Sequence, residues 1–125
     1  MSESIKGKGS VGIAISYYSL KGMVSIPLEP CDYNLIFDDQ TQLYKIKVIS
    51  CSYKTRYGIY SASIRISGGN QPNSQVKKFD KDSCDFVFIV TSCLDMYEIP
   101  ALSIESSRQI SLNKYQEFRV SLIPE

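Results

Sequence analysis

One near-continuous apolar run, FVFIVT at Phe86–Thr91, constrains the fold of this chain more than any other segment. Six residues rich in β-branched and aromatic side chains are typical of a strand that is covered on both faces. A chain of 125 residues is long enough to bury such a strand inside one domain. The run therefore predicts the central strand of a sheet.

Segments with the period-two alternation of β-strands occur before and after this run. The longest is Leu43–Tyr53, and an acidic turn, Asp38–Thr41, precedes it. Alternate residues of a strand point to opposite sides, so this strand has two distinct faces. One face carries Leu43, Lys45, Lys47 and Ile49, and the other carries Tyr44, Ile46, Val48 and Ser50. The other predicted strands are Val24–Leu28, Tyr33–Phe37, Gly58–Ile66, a short strand within Leu94–Ile104, and Arg119–Ile123.

One segment, Gly9–Leu20, places its apolar residues at helical spacing. Ser10 is a candidate N-cap, and Gly22 is a candidate for the residue that ends the helix. We expect residues 1–8 to form a flexible tail and residues 9–125 to form a single domain. Together the segments predict an α+β fold, α/β/α-like in its layers, with a mixed central sheet and a flanking helix.

The composition excludes several classes of protein. No histidine is present, which removes histidine-based catalysis and histidine-ligated zinc. No apolar run is long enough to span a membrane, and the first ten residues lack the apolar centre of a signal peptide, so we expect a cytoplasmic protein. The formal net charge of +1 gives no support to nucleic-acid binding by bulk charge. Four single cysteines are expected to be buried, reduced thiols: Cys31, Cys51, Cys84 and Cys93.

Four stretches carry a resemblance to a known family by their order and spacing: GSVGIAISYYSLKGMVSIPL, DYNLIF, LYKIKVIS and CDFVFIVTSCLDMYEIPALSI. From about Gly9 to its C-terminus the chain resembles the PD-(D/E)XK nuclease superfamily, and within it the small bacterial branch that includes group I intron homing endonucleases. The best-preserved piece is Asp85-Phe86 followed by Tyr97-Glu98-Ile99-Pro100. The resemblance implies a restriction-endonuclease-like core and a homo-oligomer, either a dimer or a tetramer.

In that family, carboxylates hold divalent cations against the scissile phosphate, and a lysine helps to generate the attacking hydroxide. The resemblance places the glutamate of the first helix at Ile13 and the hairpin aspartate at Asn34. It places the next strand's glutamine or glutamate at Lys47 and the lysine at Ile49. All four positions are substituted, which indicates a degenerate site that holds no metal. We expect Ile13 and Ile49 to lie close together and to fill the former metal pocket with hydrocarbon.

An alternative alignment relocates the active site by two residues. Strand residues two apart share a face, so Asp32 could replace Asn34 while Lys47 replaces Ile49. Mg²⁺ would then be bound by Asp32 and a backbone carbonyl, with help from Asp38 or Asp39. The latter two aspartates are also typical turn residues. This alignment predicts an active, Mg²⁺-dependent DNA endonuclease.

A group of basic residues lies on or beside the long strands, which face DNA in the family that this chain resembles. Lysine and arginine can hold phosphates, and interleaved tyrosines can stack or donate hydrogen bonds. The alternative is a solvated surface with partly buried tyrosines. The candidate DNA-binding residues are Lys45, Lys47, Lys54, Arg56 and Arg65, and the tyrosines are Tyr44, Tyr53, Tyr57 and Tyr60.

Three functions are compatible with these features. The first is a catalytically inactive homing-endonuclease-like protein that binds double-stranded DNA or a partner subunit. The second is the active endonuclease with the relocated site, and the third is a protein-interaction module that binds no DNA. We expect no small-molecule substrate in any of them. Apolar residues of the C-terminal segment, Val120, Leu122 and Ile123, are candidates for the interface of the expected homo-oligomer.

Overall fold

The apolar run forms strand β5, which lies inside a six-stranded mixed sheet in the computed structural model of the chain. The structure describes residues 3–29, 31–64 and 78–123, with residues 3–8 as helical backbone. The helix is α1, Glu3–Ser19. The strands are β1 Met23–Ser25, β2 Leu35–Asp38, β3 Leu43–Cys51, β4 Ser61–Ser63, β5 Phe86–Thr91, β6 Met96–Pro100, β7 Gln109–Ser111 and β8 Arg119–Val120. The predicted α+β class and mixed sheet are therefore confirmed.

The strands of the main sheet follow the order β1-β2-β3-β5-β6-β8. Only the central pair, β3 and β5, is parallel, and every other pair in this sheet is antiparallel. Strands β4 and β7 form a separate antiparallel pair. The short β1 and β8 form the two edges, while the apolar β5 lies between β3 and β6, as its sequence predicts.

Helix α1 covers one side of the sheet, which we call the helix face. Its residues Ala14, Tyr17 and Tyr18 are spaced three and four apart and are buried. The Tyr18 ring lies 4.9 Å from the Phe37 ring and 5.6 Å from the Phe88 ring, measured between centroids. The helix-face core also contains Leu35, Ile46, Val90 and Met96.

The opposite side, which we call the far face, has a different covering. A second core packs there against β3, β5 and β6 through Ile49, Cys51, Val87, Ile89, Tyr97 and Ile99. The covering side chains come from β4, β7 and short 3-10 turns, and include Ala62, Ile64, Ala101, Ile104, Ile110, Leu112 and Tyr115. The predicted two faces of β3 are confirmed, because Ile46 and Ile49 belong to opposite cores.

The helix differs from the prediction at its start. It begins at Glu3 rather than at Gly9, so residues 3–8 continue the helix instead of forming a flexible tail. Ser10 is not an N-cap: it is buried inside the helix, and its hydroxyl lies 2.6 Å from the Ser50 hydroxyl. The predicted end is close to the observed one, since the Gly22 N–H donates to the Tyr18 carbonyl (3.0 Å).

Several strands are shorter than the alternation predicts, because edge and surface segments are bounded by turns. The predicted strand Gly58–Ile66 contains only β4, Ser61–Ser63, and its last two residues lie outside the described ranges. The strand β7 was missed, since three residues carry too short a pattern. Cysteines 51 and 84 are buried as expected, but Cys31 and Cys93 are exposed; all four thiols are free. Within the described chain, no helix is long and apolar enough to cross a membrane.

Candidate functional site at strands β2 and β3

Asn34 lies immediately before β2 and is fixed by backbone contacts to β3. Its N–H donates to the Ile46 carbonyl (2.8 Å), and its side-chain Oδ1 accepts a hydrogen bond from the Val48 N–H (2.7 Å). The register pairs Leu35 with Ile46, so the next position places Asn34 opposite Lys47. The Asn34 amide oxygen therefore takes part in the hydrogen bonding between β2 and β3. The residue opposite it, Lys47, carries a positive charge.

Asp85 makes a matching contact on the other side of β3. Its carboxylate accepts a hydrogen bond from the Lys45 N–H (2.7 Å), and its own N–H donates to the Lys45 carbonyl (2.8 Å). The Asp85 carbonyl accepts a hydrogen bond from the Ala101 N–H (2.9 Å), which links the start of β5 to the end of β6. The Asp85-Phe86 motif thus joins three strands at the point where β5 begins.

Lys47 is half-buried on the far face, beside the buried thiol of Cys84. Burial raises the pKa of the Cys84 thiol, and the positive charge of Lys47 opposes that rise. The one ion pair among the described residues joins Arg119 to Asp95, so Lys47 has no carboxylate partner there. The ammonium group occupies the place where the family resemblance puts a metal-binding side chain.

Ile13 and Ile49 do not fill one common pocket, contrary to the expectation. Ile13 packs against the helix-face core, whereas Ile49 packs against the far-face core. Ile13 instead lines a crevice of about 320 Å³ at the ends of β3 and β5, together with Ser50 and Thr91. Alternate strand residues point to opposite sides, so a side chain on β3 reaches one core or the other.

The alternative, relocated site would draw on Asp32, with help from Asp38 or Asp39. Asp32 is exposed ahead of β2. Asp38 accepts a hydrogen bond from the Gln40 N–H (2.8 Å), and Asp39 accepts from the Thr41 hydroxyl (2.6 Å) and N–H (2.8 Å). These bonds, with the Thr41 hydroxyl first, lower the pKa of Asp39 to about 2. Both aspartates form the turn, as their residue type favours.

The residues present do not fit a divalent cation. Hard cations such as Mg²⁺ require several oxygen ligands, of which one or two are carboxylates. Here the Asn34 oxygen already accepts the Val48 N–H, Lys47 is cationic, and Ile13 and Ile49 offer no oxygen. Across residues 3–29, 31–64 and 78–123, no three histidine, cysteine, aspartate or glutamate side chains converge on a metal-binding geometry.

Three of the candidate basic residues each contact a tyrosine. The Lys45 ammonium lies 5.4 Å from the centre of the Tyr33 ring. The Lys54 ammonium lies 4.7 Å from the centre of the Tyr60 ring. Such distances are typical of cation–π contacts, which hold a cation at the surface without neutralising it. Tyr33 and Tyr60 both pack against the far-face core, so these two pairs lie on one side of the molecule. Arg65 lies outside the described residues.

A short hairpin after β3 carries the third pair. Lys54 and Tyr60 form an isolated bridge, and the chain turns through Gly58, whose φ of 78° suits glycine. The Arg56 guanidinium donates to the Tyr57 hydroxyl (2.9 Å) and lies 5.0 Å from that ring's centre. Tyr57 is 74% exposed, so the hairpin tip presents a cation and an aromatic ring to solvent.

For two tyrosines, the structure differs from the sequence prediction of which tyrosines lie beside the basic residues. Tyr44 belongs to the helix face, where its ring packs against Phe37 and Phe86, and it is therefore separated from the basic group. Tyr33 was not among the candidates, although it contacts Lys45. Alternation from Leu35, which lies on the helix face, would place Tyr33 on that same face, so the sequence gave no signal for its position beside Lys45 on the far face.

One solved structure has the same overall architecture as this chain. The structure of the bacterial homing endonuclease I-Ssp6803I matches with a TM-score of 0.81 over 95% of this chain and 89% of that chain, at 22% sequence identity. The fold is similar to that of a homing endonuclease. No family model matches the chain, and no curated protein matches it either. The similarity concerns the course of the chain, and the chemistry depends on the side chains described above.

Proposed function

We propose that this chain is a catalytically inactive protein of the PD-(D/E)XK homing-endonuclease type that binds double-stranded DNA. The observation that carries the proposal is the Asn34–Lys47 pair. One side chain uses its oxygen to accept the Val48 N–H, and the other is an ammonium without a carboxylate partner in the described chain. The endonuclease fold is thus combined with a site that repels the cation on which cleavage depends.

The loss of cleavage follows from electrostatics. A divalent cation beside the Lys47 ammonium would be repelled, and no carboxylate at Asn34, Ile13 or Ile49 compensates for that repulsion. The lysine that assists hydroxide formation in the family is also missing, because its position is occupied by Ile49. We therefore assign no step of hydrolysis to this site.

The exposed cation–tyrosine pairs support DNA binding. Lys54, Arg56 and Lys45 each contact a tyrosine ring, and none of them is ion-paired with a described carboxylate. Their charges remain available to phosphates, while the rings restrict the motion of the cations. The net charge of +1 means that affinity depends on this local group and not on the whole surface.

Binding of a labelled DNA duplex, followed by fluorescence anisotropy at increasing salt, tests the proposal. We expect measurable binding at low salt and a loss of affinity as salt rises, since phosphate contacts release counterions. Lys54→Gln/Arg56→Gln should weaken binding and reduce the salt slope by about 2, roughly one for each phosphate contact removed. Lys114→Gln is the control, because Lys114 is an exposed lysine of the 3-10 turn Leu112–Lys114 that takes part in none of the described cation–tyrosine contacts.

Two outcomes would contradict the proposal. Absence of binding at low salt would favour an interaction module that does not recognise DNA. An equal loss of affinity in the Lys114→Gln control would show that the hairpin is not the binding surface.

A further inference from the structure

A crevice opens at the carboxyl ends of β3 and β5, the parallel pair of the main sheet. Its volume is about 320 Å³, and α1 forms one wall through Ser10 and Ile13. The other walls include Ser50 at the end of β3 and Val90 at the end of β5. A volume of this size lies at the lower end of the range for sites that bind small ligands. The crevice can therefore hold one small, compact group.

The lining of the crevice is uncharged. Its apolar side chains include Ile13, Val90 and Leu94, and its polar groups include the Ser10 and Ser50 hydroxyls, which lie 2.6 Å apart. None of the described residues that line it carries a charge. A charged group would lose water here without gaining an opposite charge. The crevice therefore favours a neutral group that has an apolar face and polar edges.

Leu94 lines the crevice in a backbone conformation that leucine rarely adopts. Its φ is 67°, in the left-handed region that favours glycine and asparagine. The turn between β5 and β6 holds it there, since the Leu94 N–H donates to the Thr91 carbonyl (2.9 Å). The side chain is 67% exposed, so it contributes little to either core. A strained and exposed leucine beside a cavity indicates a contact with a ligand.

The crevice adjoins the contact between Lys54 and Tyr60. Ser92 lines the crevice, and its hydroxyl lies 2.8 Å from the Tyr60 hydroxyl. The Lys54 ammonium lies 4.7 Å from the centre of the same tyrosine ring. Ser52, another lining residue, precedes Lys54 by two positions. A phosphate bound by Lys54 would therefore place its nucleotide close to the crevice.

The segment that contains Lys54 and Tyr60 is the most basic part of the sequence. Half of the 14 lysines and arginines lie between Gln40 and Phe79, and none of the 13 aspartates and glutamates does. The small net charge of the whole chain therefore hides a strong separation of charge along it. Such a separation attracts a polyanion to one part of a protein.

We propose that the crevice receives an unpaired nucleobase of DNA that is bound at Lys54 and Tyr60. A nucleobase is neutral, has an apolar face and hydrogen-bonding edges, and leaves its phosphate outside, next to the cation. Proteins that bind an extruded base hold it between apolar or aromatic side chains and by hydrogen bonds to its edge. Here Ile13 and Leu94 supply the apolar contacts, and the serine hydroxyls supply the polar ones. The inference rests on the proposed DNA binding.

Two DNA duplexes test the proposal. Each carries one 2-aminopurine, which lies opposite thymine in the paired duplex and opposite an abasic position in the unpaired duplex. An unpaired base costs least to extrude, so we expect the unpaired duplex to bind at least about tenfold more tightly. The fluorescence of its 2-aminopurine should rise on binding, because the base leaves the stack.

Two variants separate the crevice from the fold. Leu94→Asn removes the apolar side chain and introduces a residue that tolerates a positive φ, so its melting temperature should be unchanged or higher. Its preference for the unpaired duplex should fall to within about twofold. Ser52→Phe, at an exposed lining residue, should abolish the preference by occupying the crevice. Leu102→Asn is the control for Leu94→Asn, because Leu102 is 77% exposed and does not line the crevice.

The outcomes distinguish this inference from the proposed function. Equal affinity of the unmodified protein for the two duplexes would overturn the base-binding crevice and leave the proposed DNA binding intact. A preference that persists in both Leu94→Asn and Ser52→Phe would do the same. Absence of binding to either duplex would overturn both proposals.

Discussion

The two faces of the main sheet are built in different ways. On the helix face, α1 closes an aromatic core in which Tyr17, Tyr18, Phe37 and Phe88 contact one another. On the far face, the described parts of β4, β7 and the 3-10 turns cover β3, β5 and β6. The Asn34–Lys47 pair lies at the border of that covering, where Asn34 is exposed and Lys47 is half-buried. The difference teaches that both faces bury a core, but that the far face also carries exposed polar side chains next to its core.

The largest expected difference between the faces is in core stability. Phe88→Ala should lower the free energy of unfolding by about 3–5 kcal/mol, because Phe88 is fully buried and contacts both tyrosines of α1. Ile36→Ala should cost less than about 1 kcal/mol, because Ile36 is only partly buried and belongs to neither described core. Urea denaturation measures both values. Equal losses would show that Ile36 is as tightly packed as the helix-face core.

The reactivity of the four thiols tests how tightly the far-face core is packed. Cys51 and Cys84 are buried there, and burial raises the pKa of each thiol, so little reactive thiolate forms. Cys31 and Cys93 are exposed. A thiol reagent should therefore modify two cysteines quickly, and the other two at least about a hundredfold more slowly, at the rate of local opening. Fast modification of all four, counted by mass spectrometry, would mean that the far-face layer is loose.

The two polar contacts that flank β3 should each make a modest contribution. Asp85→Ala leaves the Lys45 N–H without its partner, and Asn34→Ala does the same to the Val48 N–H. Each should cost about 1–2 kcal/mol of unfolding free energy. Asn34→Asp keeps an acceptor oxygen and should leave stability nearly unchanged. A loss in Asn34→Asp as large as in Asn34→Ala would show that the amide N–H₂ group, and not the oxygen, holds this position.

The smallest effect tests local order in the turn between β2 and β3. Thr41→Val removes the hydroxyl that contributes most to the low pKa of Asp39, and that pKa should rise from about 2 toward its ordinary 3.8. Because the folded-state pKa is depressed, the stabilisation from Asp39 is complete above pH 3.8 and is lost as the pH falls through about 2. Carboxyl NMR titration measures the change. An unaltered pKa in Thr41→Val would mean that backbone N–H groups alone order the turn.

Periodicity predicted the fold well where patterns are long. The apolar run became β5 residue for residue, and alternation placed Ile46 and Ile49 on opposite faces of β3. The start of α1 was missed, because residues 3–8 carry no apolar period that distinguishes them from a tail. Three-residue strands such as β7 are too short for a period to be recognised.

The site was only partly predictable. The resemblance identified Asn34 and Lys47, and the register places these two residues opposite each other. It could not show that Ile13 and Ile49 pack in different cores, because that depends on which face of the sheet α1 covers. The hydrogen bond from the Val48 N–H to the Asn34 side chain could not be predicted either. No sequence pattern distinguishes a side-chain oxygen that accepts a backbone N–H of the neighbouring strand.

Nicking of supercoiled plasmid DNA in Mg²⁺ or Mn²⁺ tests the central claim most directly. The account predicts that the unmodified protein binds the plasmid without nicking it. It predicts the same for Asn34→Asp, because one carboxylate beside Lys47 does not assemble a metal site. Metal-dependent nicking by the unmodified protein that disappears in Asp32→Ala would contradict the account and establish the relocated active site instead.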